Sequence, residues 1–370
     1  MGLRQLGHRT VQRIHALQQW NLGLLALIMM WIRGPWWDIF WILSGLPIGF
    51  VLLCLSTSIP LALMTLSLLV LLQTGHLLSP IALAWNHRGF RAAMRLQPAK
   101  YVVVPALILL STTALGVVTS MIFTDFHPDL GLSVKIHPAS DYTNPFVMML
   151  VVYAAWNAYH FAMQNFGILS IYRKKCQIYG PWQRRVDMIF CIVMMGAATF
   201  LPFAPHLRLD RSVIQDVYAS IALVGIPFML WREMLTRAFC LPRILFIFTN
   251  AVGLVLVFWQ GLWGFAIIAV NHWLVAIGLS SHVYSVHRDR PPIVFAAVLI
   301  SASMLGFVLL FVSFPTLTIK VTMPAVGLRI GLGFVHFLYD RWIYKLSDPQ
   351  VRATIGRDIF CRDTGRRFGV

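Results

Sequence analysis

Long apolar runs free of charge constrain this chain more than any other feature. Residues 101–123 contain no Asp, Glu, Lys or Arg, and water cannot solvate such a stretch. A helix crossing a ~30 Å hydrocarbon core needs ~20 mostly apolar residues at ~1.5 Å of rise each. Comparable runs lie near 36–55, 59–85, 101–123, 145–172, 186–205, 212–231, 243–260, 262–286, 292–313 and 321–345. The runs are continuous, not alternating, and unpaired strand edges find no partner in lipid. The expectation is therefore an all-α, polytopic transmembrane helical bundle of about ten spans, plus an N-terminal interfacial or re-entrant helix. It divides into an N-terminal segment 1–35, a bundle 36–345 and a basic tail 346–370.

Charge supports a membrane reading and sets an expected orientation. Of 370 residues 58% are apolar and 12% charged, about half the charged share of a soluble domain. Thirty Lys+Arg against 13 Asp+Glu give +17, which a membrane protein collects on its cytoplasmic loops without any nucleic-acid partner. Arg88, Arg91, Arg95 and Lys100 mark one cytoplasmic segment, and the loop with Asp125, Asp129 and Asp141 lies outside. Arg173, Lys174, Lys175, Arg184 and Arg185 then fall inside, the turn at Gln260 and Gly261 outside, and Arg288 and Arg290 inside again. This places the C-terminus in the cytoplasm of a plasma (inner) membrane. Arg4, Arg9 and Arg13 ask to be cytoplasmic too, so residues 19–32 are read as lying against the bundle, with Trp31, Trp36 and Trp37 at headgroup level. No signal-peptide cleavage site is expected.

Familiar motifs are few. Cys54, Cys176, Cys191, Cys240 and Cys361 form no CxxC pair, so neither a disulfide framework nor a zinc ribbon is expected. There is no P-loop, GxGxxG or GxSxG. Gly327 and Gly331 form a GxxxG that permits close helix packing, Arg329 between them snorkels to the interface, and Asp38 sits at the membrane surface. Ser347-Asp348-Pro349 opens a short helix carrying Arg352 and Arg357.

Ionisable residues within apolar helices carry the functional signal, because burying them unpaired is costly. Helical rise converts position to depth from the cytoplasmic end: roughly 13 Å for His76, 18 Å for His160, 13 Å for His336 and 20 Å for His272, against about 7 Å for His282. Four distant stretches thus offer imidazoles within one band. Asn157, His160 and Gln164 fall on a single helical face, and His336 and Asp340 stack at i, i+4. His76, His160, His272 and His336 are the candidate metal ligands, with Asn157, Gln164, His282 and Asp340 as supporting or alternative ligands. His87, His282 and His287 lie near the interface, where a solvated or lipid-facing role is expected.

Imidazoles with one carboxylate suit iron, zinc or copper better than calcium or magnesium. The expected activity is a histidine-ligated non-haem iron oxygenase, desaturase or hydroxylase acting on a lipid or isoprenoid, with haem or zinc as alternative cofactors. Its partners would be the bilayer, a lipophilic substrate and a cytoplasmic electron donor. Tyr159-His160-Phe161 is similar to part of the histidine segments of membrane carotenoid-cleaving enzymes, while the HxxxH and HxxHH boxes of desaturases are absent. A proton- or ion-coupled transporter would use the same intramembrane His and Asp. In a non-catalytic assembly protein these residues would be interhelical glue.

Overall fold

The computed structural model describes residues 30–55, 59–122, 145–196, 211–235, 239–260, 262–313 and 319–360. Most of the expected N-terminal interfacial helix, the acidic loop at 125–141 and the end of the tail lie outside the described residues. Within them the chain is all helical, in the order α1 Pro35–Asp38, α2 Gly45–Leu55, α3 Ile59–Asn86, α4 Arg88–Leu96, α5 Val104–Ile122 and α6 Pro145–Lys175. There follow α7 Pro181–Phe190, α8 Arg211–Leu235, α9 Leu241–Gln260, α10 Leu262–Arg288, α11 Pro292–Ser313 and α12 Ile319–Tyr344, then the short α13 Pro349–Val351 and α14 Arg357–Phe360.

The expectation of about ten spans is corrected. Among the described residues four helical stretches are long and apolar enough to cross a membrane: Ser67–Asn86, Ala99–Met121, Gln215–Leu235 and Gly264–Arg288. A fifth is reached only if Pro35–Leu43 and Gly45–Leu52, bent by 46°, count as one. Leu241–Val257 and Pro292–Met304 are further apolar helical stretches among the described residues. The long helices α6 and α12 carry Asn157, His160 and Gln164, and Arg329, His336 and Asp340, respectively, so the polar groups of interest dilute their apolar character. The apolar helices, with Leu110, Met121, Leu223 and Val298 exposed, are consistent with a protein embedded in lipid.

Helix α10 is the central pillar: 83% of its apolar window is buried inside the protein, and it packs against α2, α3, α9 and α11. Small residues allow the approach. A Cβ at Gly278 would overlap the Trp41 side chain, and one at Gly45 the Asn271 backbone. Helix α12 packs most extensively on α5, where Cβ atoms at Gly327 and Gly331 would collide with the Thr112 carbonyl and hydroxyl. The GxxxG glycines therefore serve close packing. Arg329, exposed between them, donates to Gln73 Oε1.

The ends of the bundle are tied by buried polar groups. Asp38 is not interfacial but fully buried: it accepts from the Ile32 and Arg33 amides (2.7 and 3.2 Å) and from Tyr172 Oη (2.9 Å). Trp31, expected at headgroup level, is packed inside, whereas Trp36 is exposed. Buried Arg243 donates to Glu233 Oε2 (2.7 Å), Asp187 Oδ1 (2.5 Å) and the Leu169 carbonyl (3.0 Å), and Arg232 reaches the same two acids. Contrary to the sequence reading, Cys176 and Cys240 form a disulfide that joins the end of α6 to the start of α9. Sequence spacing could not reveal a pair 64 residues apart. As expected, Asp348 caps α13, accepting from the Gln350 and Val351 amides.

Candidate metal centre

Four helices bring one imidazole each to the same place. His76 from α3 lies with its ring centroid 4.1 Å from His336 of α12, 4.6 Å from His272 of α10 and 6.0 Å from His160 of α6. His160 is 5.0 Å from both His272 and His336. All four are buried. Aromatic walls fix two of the planes: Phe161 stacks on His272 at 3.7 Å and Phe337 lies 4.6 Å from His160.

Hydrogen bonds show which way the lone pairs face. His336 Nδ1 is 3.2 Å from the Leu77 carbonyl, which can only accept, so Nδ1 carries the proton and Nε2 a lone pair. That Nε2 lies 3.2 Å from His160 Nε2. On its other side, His160 Nδ1 faces Asp340 Oδ2 at 3.7 Å. With its proton on Nε2, His160 donates to His336 Nε2 across 3.2 Å; with the proton on Nδ1, on the side of Asp340, the two Nε2 lone pairs face each other at a separation that a shared cation would suit. Two nitrogens sharing one ion at ~2.0–2.1 Å in a tetrahedral sphere sit about 3.3 Å apart. His76, His160 and His336 each offer a nitrogen within 4.8 Å of the others, a set able to hold a metal ion.

Unmet hydrogen-bonding capacity agrees with that fit. His76 Nδ1 and both ring nitrogens of His272 are buried without a partner, a cost of about 1–3 kcal/mol per group. His272 borders the trio but is outside its 4.8 Å set. Gln164 donates to the His272 carbonyl (3.0 Å), holding α6 to α10, and its Oε1 is buried unpaired. Asn157 is half-buried on α6, towards the opposite end from Gln164.

His282, an alternative ligand by sequence, is not brought to this centre. Its Nε2 faces the Ile359 carbonyl (3.3 Å) and its Nδ1 faces Arg33 Nη1 (3.5 Å), so it secures the tail segment. A second group, missed by the sequence reading, lies close by: His87, His287 and Asp358 also come within metal-binding distance of one another. His87 Nε2 is 3.1 Å and His287 Nδ1 3.6 Å from Asp358 Oδ2, with the two rings stacked at 4.0 Å. The partners of these histidines lie up to 271 residues away. The one available signal was that acids are scarce in so basic a chain.

No known protein family, curated protein or solved structure matches the chain.

Proposed function

We propose that this chain is a membrane metalloenzyme, a non-haem iron oxygenase or hydroxylase of lipophilic substrates, with His76, His160 and His336 as the ligands. The carrying observation is the pair of Nε2 atoms facing each other at 3.2 Å, each backed by a proton acceptor behind its Nδ1. Three neutral imidazoles leave coordination positions open, as catalytic rather than structural sites do. Asp340 and the Leu77 carbonyl fix the two tautomers, His272 closes the remaining side, and Phe161 and Phe337 exclude water. Haem is a poor fit, because rings 4.1–5.0 Å apart leave no slot for a macrocycle.

An iron ion held there supplies dioxygen activation. Inserting one oxygen atom into a C–H bond consumes dioxygen, two electrons and two protons and releases water, so a reductant must reach the protein. The purified protein is expected to carry about one iron per chain and to consume dioxygen when supplied with reductant and lipid. Stoichiometric zinc without dioxygen consumption would overturn the oxygenase reading. Substrate flux into liposomes by metal-free protein would establish transport instead.

A further inference from the structure

A cleft of about 400 Å³ is lined by Val152, Ala155, Trp156 and Tyr159 of α6 and Arg341 of α12, two of which adjoin His160 and Asp340 in the sequence. This is within the size range of ligand pockets. The α6 residues recur at i, i+3, i+4 and i+7, one helical stripe, and all four are exposed. The stripe ends next to the centre: Tyr159 precedes His160, and Arg341 follows Asp340. Successive helical residues diverge by roughly 100°, so each helix turns one residue inward to the histidines and the next into the cleft.

The two helices run in parallel, since Tyr153 packs on Phe334 and Phe337 while His160 faces Asp340. Arg341 therefore stands at the Tyr159 end of the stripe, and Val152 is roughly 10 Å further along. The cleft thus has a cation at one end and an uninterrupted apolar wall leading away from it. Arg341 is exposed and makes no ion pair among the described residues.

We infer that this cleft binds a single-chain amphiphile with a terminal carboxylate, a long-chain fatty acid or a close analogue, as substrate of the proposed centre. The guanidinium fork matches a carboxylate in two parallel hydrogen bonds, and the narrow stripe takes one chain. Bound this way, the carboxylate sits at Arg341 and the first carbons of the chain pass Tyr159 at the level of His160. This inference rests on the metalloenzyme reading for its catalytic part, but the binding itself is separable.

The test uses the full chain in nanodiscs, a spin-labelled C16 carboxylate and its methyl ester as probes, and metal content measured on the same samples. The wild type should prefer the acid. Arg341→Gln should weaken acid binding about tenfold or more, the loss of a charged hydrogen bond, without changing ester binding or metal content. Trp156→Ala should weaken both probes. Equal affinity for acid and ester, an Arg341→Gln variant that still prefers the acid, or displacement of the probe by phosphatidylcholine at equal concentration would overturn the proposal, leaving Arg341 a snorkelling residue. Acid preference in protein that retains no metal would keep the cleft and sink the metalloenzyme reading; metal without preference would do the reverse.

Discussion

Two histidine groups in this protein have similar separations and opposite polarity. At the centre made by His76, His160 and His336, acceptors stand behind the His336 and His160 rings, and the Nε2 atoms of these two face each other. At His87, His287 and Asp358 the order is inverted. The Arg88 amide donates to His287 Nε2 (3.1 Å), so Nδ1 keeps its proton and directs it at Asp358, and His87 Nε2 approaches the same carboxylate oxygen. Protons converge there on an acceptor that needs no cation. Distance alone admits a metal at both groups; the direction of the hydrogen bonds favours one.

That contrast can be broken by substitution. The largest effect is expected from His336→Ala or His160→Ala, which should reduce bound metal from about one per chain to near zero, measured by elemental analysis of folded, membrane-extracted protein. His272→Ala, which removes a neighbour outside the trio, should retain metal with weakened affinity. Asp340→Asn should lower metal affinity by about 10–100-fold, the usual cost of losing a carboxylate behind a ligating imidazole. Acidification should release the metal from the wild type, since protons compete for the same lone pairs.

Asp358→Asn should behave differently. Metal content should be unchanged, while α14 loosens from the bundle at a cost of about 1.5–3 kcal/mol, read as faster proteolysis of the tail. If this variant lost the metal, the two groups would have to be exchanged in the account. Gln164→Leu should cost least, about 0.6 kcal/mol of stability for an interhelical hydrogen bond.

Depth was legible in the sequence because helical rise is fixed, and it put His76, His160, His272 and His336 at one level. Their rings do approach one another to 4.1–6.0 Å in the described pairs. Azimuth was not legible. Nothing in the spacing of His282 says that it faces Ile359 and Arg33, and nothing near Asp358 announces His87. Span counting failed at the histidine cluster: the polar residues of α6 and α12 remove them from the apolar helices. Asp38 was misread for a related reason. A carboxylate at a helix start is ordinarily solvated, but here the chain at 32–33 and Tyr172 close over it and supply its donors.

The most direct measurement is X-ray absorption spectroscopy at the metal edge of the purified wild-type protein and of His336→Ala. The wild type should hold one first-row metal per chain in an imidazole-rich shell at ~2.0–2.1 Å, absent from the variant. Folded protein that binds no metal, or a variant retaining the same shell, would contradict this assignment.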